Sequence, residues 1–215
     1  MAQNPVWQRQ LDEGLAQMEL KLDASQQRQL LAFLALLAKW NKAFNLTAVR
    51  DEREMVSRQL LDSLSILPFV TTHHLLDAGA GGGLPGIPLA IALPGTHFTL
   101  LDSNGKKTRF LKQCVLELGL RNLDVIHSRA EAYQPRELFT QISSRAFTAL
   151  DNQVSWCDHL LAGNGEFIAM KGQYPDDEVA ALGRGWQVNS SHRLAVPGVE
   201  GERNLLIIRR NGHPH

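Results

Sequence analysis

Two cysteines are all that the 215 residues contain, Cys114 and Cys157, far apart and at no metal-binding spacing. Each falls within a helical apolar pattern, which predicts buried free thiols rather than a disulfide. The eight histidines show no metal spacing either, and His73 and His74 are adjacent, so they would face opposite sides of a strand. No metal is expected, and no Ser/His/Asp nucleophile arrangement is legible. Long apolar runs are missing as well. Leu30 to Ala38 is the longest strongly apolar stretch, too short to cross a membrane. The N-terminal region carries Asp12 and Glu13 and no signal-like apolar core, which predicts a cytoplasmic protein without a membrane partner. Charge bias is absent too: Lys plus Arg and Asp plus Glu both number 22. That argues against a protein that coats nucleic acid nonspecifically, but it leaves room for a local basic patch. There is no internal repeat and no low-complexity linker.

What is present suffices for one large domain, or one domain with an appendage, since 44% of the residues are apolar. Residues from Trp7 to Pro68 read as helices with no strand signal. Asp23 and Gln26 have the spacing of a capping box, and Leu30, Leu31, Leu34, Leu37 and Trp40 form a wide apolar stripe behind it. A third helix is expected over Asp51–Leu67, ended by Pro68. After Val70 the pattern changes. Strands are expected at 74–76, 97–101, 123–126, 141–143 and 166–170, with helices at 87–93, around 110–118 and at 149–161. Two last strands, 186–196 and 204–209, are joined by a short turn-rich link that favours an antiparallel pair. Alternating strands and helices predict a doubly wound, mostly parallel α/β sheet, and a final antiparallel hairpin is a feature of class I methyltransferases. The expected architecture is a Rossmann-like seven-stranded core over 71–215, with an N-terminal helical extension, 1–70, packed on it.

The stretch from Leu75 to Gly86 ends a strand at Asp77 and then places four glycines in five positions. Such a loop lets backbone approach a ligand closely, and Pro85 suits the first turn of a following helix. Two motifs compete. The dinucleotide pattern matches only from Gly81, too late after the strand. Asp77-x-Gly79-x-Gly81-x-Gly83 starts the turn at the strand's end, as in S-adenosylmethionine (SAM) enzymes. Asp102 ends the second strand, where a carboxylate can accept from both ribose hydroxyls of a nucleoside. A residue there, Asp102 or Ser103, can equally cap the next helix. Ala130 and Glu131 follow the third strand, in the loop that lies along an adenine in this fold; taken alone, Glu131 reads as a solvated acid rather than a ligand. Ser144-Arg145-Ala146-Phe147 ends the fourth strand without a carboxylate. Its arginine suits a phosphate or a purine edge, or else forms an ion pair. Lys106, Lys107, Arg109 and Lys112 open a helix just after Asp102, and Lys171 follows the fifth strand. They read as a phosphate track or as a solvated face.

Taken together, Trp40-Asn41-Lys42-Ala43-Phe44-Asn45-Leu46-Thr47, Leu60-Leu61-Asp62-Ser63, Asp77 to Pro88, Leu101-Asp102-Ser103, Ser144-Arg145-Ala146-Phe147 and Met170-Lys171-Gly172 occur in this order. Over roughly residues 23–210 the chain resembles the RsmG (GidB) family, bacterial SAM-dependent methyltransferases that form N7-methylguanosine in small-subunit ribosomal RNA. The resemblance implies that Gly79, Leu84, Ala130, Glu131 and Arg145 contact the cofactor, which adds Leu84 and places Arg145 at the cofactor, with a substrate-side role for Arg145 left open. It further implies a small-subunit RNA partner, within a ribosomal subunit or an assembly intermediate, and a monomeric enzyme is expected. One departure is Gln59, where several relatives are expected to carry histidine; it is expected to alter a minor helix contact and not the activity. Two other readings stand beside this one: a SAM enzyme acting on another RNA position or a small molecule, and a non-catalytic nucleotide-binding regulator.

Overall fold

The computed structural model describes residues 4–212; the outer ends of the two expected units, 1–3 and 213–215, lie outside it. Seven strands, β1 (His74–Ala78), β2 (His97–Asp102), β3 (Leu123–His127), β4 (Phe139–Arg145), β5 (Leu161–Lys171), β6 (Trp186–Arg193) and β7 (Asn204–Arg210), form one sheet. Their order is β3-β2-β1-β4-β5-β7-β6. The first five pair in parallel, and β7 inserts antiparallel between β5 and β6. The unbroken apolar runs of β1 and β2 follow from this placement, because helices cover both faces of the central strands. The chain runs from β1 outward to β3, then returns to add β4 on the other side of β1. That reversal opens a crevice at the carboxyl ends of β1 and β4.

Local chemistry explains most of the helices. Asn4 accepts from the backbone N–H groups of Val6 and Trp7 to start α1 (Pro5–Gln17). The expected capping box is formed by Asp23 and Gln26 at α2 (Ala24–Phe44). α4 (Gly86–Ala92) has Pro85 just before its first turn, and α5 (Gly105–Leu118) ends at Gly119 in the left-handed conformation. α6 (Leu150–Cys157) and α7 (Asp176–Ala180) complete the set.

Three segments depart from expectation. The single helix foreseen over 51–67 is a π-helical segment, Val56–Leu61, running into the short α3 (Asp62–Leu64), and Pro68 sits inside a 3₁₀ turn, Leu67–Phe69. The Ser63 hydroxyl donates to the Gln59 carbonyl and the Ser65 hydroxyl to that of Asp62, both at 2.6 Å, so side chains compete for the helix's own acceptors. The helix foreseen to Leu161 stops at Cys157, and β5 begins at Leu161 instead of Glu166. Gly163 and Gly165 hide the start of β5 from the apolar pattern; a Cβ on Gly165 would lie 3.0 Å from the Thr140 carbonyl. β6 stops at Arg193, short of Val196, and carries an irregularity between Val188 and Ser190.

Side chains on successive strand positions point to opposite faces, so two cores form. One joins Trp7 and Leu11 of α1, Phe33 and Leu37 of α2, Leu75, Phe98, Phe110 and Leu205. The other, across the sheet, joins Leu76, Ile142, Val154, Phe167 and Leu206. The N-terminal helices thus share a core with one sheet face. Both thiols are buried and free, Cys114 among the first set and Cys157 among the second. Among the described residues no helix is long and apolar enough to cross a membrane.

Candidate active site

The glycine loop leaves β1 with Gly79 at φ +68° and Gly81 at φ +55°, conformations that L side chains rarely adopt. Their surroundings differ. A Cβ on Gly79 would run into the Phe147 ring, whereas one on Gly81 would meet only the Gly79 carbonyl oxygen, at 3.7 Å. Gly81 therefore presents open backbone to the crevice, and Gly79 is required by its packing against Phe147. Gly83 packs onto Ile87 and Leu111 beneath the loop. Asp77, expected at the ligand, lies below it instead. It is fully buried, its Oδ2 accepts from the Gly86 N–H at 2.9 Å, and its Oδ1 accepts from the Ser143 hydroxyl at 3.0 Å. Strand β1 is thereby tied both to the start of α4 and to β4. Burial pushes the Asp77 carboxyl up to about 7, against the opposing pull of those two hydrogen bonds and of Arg145.

Two cavities meet above the loop, sharing Gly79, Lys107 and Ala146. The smaller, about 360 Å³, lies over the ends of β2 and β3, with Asp102, Ser103, Ala130, Glu131, Phe147 and Trp156 in its walls. Asp102 spans it: Oδ2 accepts from the Gly81 N–H at 2.9 Å, and Oδ1 accepts from the Asn104 N–H at 2.8 Å. The cap of α5 is Asn104, which accepts from Lys106 and Lys107, so neither Asp102 nor Ser103 fills that position. A carboxylate oxygen has more than one acceptor site, and the open lone pairs of Asp102 remain for a ligand. Phe147 and Trp156 meet edge to face at 5.8 Å and give the wall an aromatic surface.

The larger cavity, about 520 Å³, lies over the ends of β1, β4 and β5. Gly81, Gly82 and Leu84 border it, and so do Arg58, Lys107, Arg145, Lys171 and Arg203. Its one lining carboxylate among the described residues is Asp62. That carboxylate is occupied, because Oδ2 accepts from Arg145 Nη1 at 2.7 Å and Oδ1 from Arg203 Nε at 3.1 Å. Arg145 also donates to the Arg58 carbonyl at 3.1 Å and to Gln59 Oε1 at 2.7 Å. Burial lowers the pKa of its guanidinium, and the facing Asp62 charge opposes that shift. Breaking a buried pair by removing one partner costs about 3–5 kcal/mol, so these groups hold one another in place. Gln59 is no minor helix contact: it is fully buried and joins Arg145 to the Thr47 hydroxyl at 2.7 Å.

The Asn45-Leu46-Thr47 stretch forms part of the same wall. Asn41 in α2 accepts from the Thr47 N–H at 2.9 Å and donates to the Val49 carbonyl at 3.4 Å. This folds residues 46–49 against the glycine loop, so tightly that a Cβ on Gly82 would lie 3.3 Å from the Leu46 carbonyl.

The basic run on α5 is divided. Lys107 borders both cavities, while Lys106 and Arg109 face a separate recess with Lys112 and His127. Lys171 borders the larger cavity but donates to Glu178 at 2.7 Å and to the Thr148 carbonyl at 3.1 Å. The crevice thus gathers Gly79, Gly81, Leu84, Asp102, Ala130, Glu131, Arg145, Lys107 and Lys171, but not Asp77, Gly83, Lys106 or Arg109. Sequence reasoning did not single out Arg58, Gln59, Asp62 and Arg203 as a group, and its one signal was an acid inside an apolar helical run, Leu60-Leu61-Asp62-Ser63.

Comparison with known proteins agrees with this geometry. Among solved structures, the mitomycin 7-O-methyltransferase MmcR superposes with a TM-score of 0.62 at 16% identity, covering 98% of this chain and 69% of that one. The O-methyltransferase TomG from Streptomyces achromogenes superposes with a TM-score of 0.57 at 14% identity, covering 99% and 100%. These likenesses identify the methyltransferase fold. In sequence, the Ribosomal RNA small subunit methyltransferase G of Marinobacter nauticus is 76% identical over 206 residues, 96% of each chain. The protein of the same name from Pseudomonas aeruginosa is 56% identical over 202 residues, 94% of each. The GidB family, described as rRNA small subunit methyltransferase G, matches residues 26–206, and the chain belongs to that family.

Proposed function

We propose that this chain is a SAM-dependent methyltransferase that modifies N7 of a guanine in small-subunit (16S) ribosomal RNA. The observation that carries the reading is the division of the crevice. A cavity with an aromatic wall, in which Asp102 and Glu131 are balanced by Lys107 and Arg129, meets a strongly basic one at a glycine loop on the carboxyl ends of parallel strands. The first cavity fits an adenosine: Asp102 for the ribose hydroxyls, Ala130 and Glu131 along the base, and Phe147 and Trp156 as an apolar wall. Gly79, Gly81 and Leu84 border the place of the amino-acid portion. When bound, SAM supplies an electrophilic methyl group on its sulfonium.

The residues at hand match the demands of guanine N7. That nitrogen has a lone pair and no proton, so no general base is required. The carboxylate bordering the basic cavity, Asp62, is engaged by two arginines and is not free to act as one. The chain's task is to hold nucleophile and methyl in line, an effect able to supply roughly 7–11 kcal/mol of a barrier. Arg145, which stands beside Gly79, Gly81 and Leu84 and so also borders the cofactor's place, offers its side-chain donors with Arg203, Arg58 and Lys107 for the incoming nucleotide and its phosphates. Lys106, Arg109 and Lys112 extend the positive surface beyond the rim and suit neighbouring phosphates, whereas the charge of Lys171 is offset by its partner Glu178. A base within folded RNA has to be accessible or extruded to enter. The substrate is small-subunit RNA within a subunit or an assembly intermediate, and the enzyme acts as a cytoplasmic monomer.

The test is transfer from tritiated SAM to small subunits lacking the modification, followed by nucleoside analysis. Label at guanine N7 is the expected outcome. Label at another atom or on a small molecule supports a different methyltransferase, and absence of SAM binding by calorimetry supports a regulator.

A further inference from the structure

No residue of the π-helical segment borders the smaller cavity, yet its side chains and carbonyls converge on one guanidinium. Arg145 donates three of its five N–H groups to this segment and its continuation: to the Arg58 carbonyl, to Gln59 and to Asp62. Its Nε–H and one Nη2–H have no partner among the described residues, and Arg145 borders the basic cavity. The widened turn is a true i to i+5 arrangement, with the Asp62 N–H bonded to the Ser57 carbonyl. Such insertions cost regular helix geometry and tend to persist where a site needs them. The clamp is itself braced from two sides. Thr47 holds Gln59 from the loop after α2. Arg203 holds Asp62 from the segment between β6 and β7. On that segment, a Cβ on Gly198 would lie 2.5 Å from the Ser57 hydroxyl oxygen, so it closes directly onto the π-helical turn.

We propose that Gln59 and Asp62 are positioning residues for methyl transfer. They fix the Arg145 guanidinium so that its two free donors meet the target nucleotide in the basic cavity. This rests on the methyl-transfer reading above. The inference is that an unclamped arginine, with several rotatable bonds, would still bind RNA but would not hold the base in line. Gln59 acts by offering Oε1 as an acceptor, while its amide donates to Thr47. A glutamate there accepts from both neighbours, because the Thr47 hydroxyl can donate instead. A leucine of similar volume serves neither.

The experiment compares wild type, Gln59→Leu, Gln59→Glu and Asp62→Asn for kcat and KM on unmodified small subunits. SAM affinity is measured by calorimetry, and the folded fraction by thermal denaturation. Gln59→Leu is expected to lower kcat at least about tenfold while SAM affinity stays within about threefold, and Gln59→Glu to recover most of the loss. Asp62→Asn keeps the shape of the side chain and carries the same expectation if Gln59→Leu does not fold. Four results overturn the inference: wild-type turnover in Gln59→Leu, loss that only follows the folded fraction, loss that Gln59→Glu does not restore, and loss confined to SAM affinity. A wild-type chain that transfers no methyl overturns the activity itself, and the positioning role with it.

Discussion

Two carboxylates one strand apart do different work because their surroundings differ. Asp102 faces the smaller cavity and bridges the Gly81 and Asn104 N–H groups. Asp102→Ala removes a ligand partner and leaves two backbone donors unmatched. A charge-assisted hydrogen bond contributes about 1.5–3 kcal/mol, so SAM affinity measured by calorimetry is expected to fall by about that amount or more, with a lower melting temperature besides. Unchanged affinity would confine Asp102 to loop architecture. Asp77 is buried against Gly86 and Ser143, and its carboxyl is raised from 3.8 to about 7. The folded protein therefore holds this proton more tightly than the unfolded chain. The proton's stabilisation is complete below pH about 4 and is lost as pH rises toward 7, after which it changes no further. Asp77→Asn keeps the shape without the titration. Denaturant unfolding between pH 4 and 8 is expected to show a flatter stability profile for the variant, by an amount on the order of a few kcal/mol across the interval. Parallel profiles would show that Asp77 is ionised throughout. Gly79→Val is expected to abolish SAM binding by displacing Phe147 from the wall as well as by straining a positive φ; calorimetry on the folded variant decides it.

At the scale of elements, what could be read from sequence was whatever lies close together along the chain. The glycine loop, Asp102 after β2, Ala130 after β3 and the antiparallel hairpin are strand-end features, and strand ends are marked by a switch from apolar to turn residues. The clamp on Arg145 was not legible, since Thr47, Gln59, Asp62 and Arg203 come from three separate segments; Thr47 and Asp62 sit in segments that carry the family resemblance, but no spacing marks the four as one group. Nor was the fate of the basic run. Lys106, Lys107 and Arg109 are near neighbours in sequence, but helical geometry turns consecutive positions by about 100° and separates them. Only Lys107 of the three borders the crevice. Its replacement by alanine is accordingly expected to reduce turnover, whereas Lys106→Ala with Arg109→Ala should leave turnover at saturating RNA near wild type. The double variant is expected to weaken RNA affinity and to flatten its salt dependence by about one unit of slope for each phosphate no longer neutralised. Titrations of RNA at several salt concentrations, alongside saturated rates, separate the two. Equal effects from both variants would mean that α5 meets RNA as one face.

For the molecule as a whole, the question is whether the helical N-terminal region is an attachment or part of the enzyme's foundation. It supplies Arg58, Asp62 and residues 46–49 to the crevice wall, and it buries Trp7, Leu11, Phe33 and Leu37 against the side of the sheet that also holds Leu75 and Phe98. Gly14 of α1 lies so close to Leu61 that no side chain fits between them. A wall built this way is only as firm as the packing behind it, so the region and the sheet should unfold together. Chains of this length often unfold in steps, and coincidence of distant probes is therefore informative. Tryptophans offer such probes. Trp7 is buried in the first core and donates to the Glu52 carbonyl at 2.9 Å. Trp186 packs on the other sheet face against Phe167, with the Arg210 guanidinium 5.1 Å from its ring centroid. Variants retaining one tryptophan each, the others changed to phenylalanine, are to be unfolded in denaturant and followed by fluorescence. Each is also followed by far-ultraviolet circular dichroism, so that the substitutions themselves do not enter the comparison. Within each variant the two signals are expected to share one midpoint and one slope. If the Trp7 signal were lost before the bulk of the secondary structure, the helices would be a separable unit. The crevice wall they form could then open while the SAM-binding sheet stayed folded.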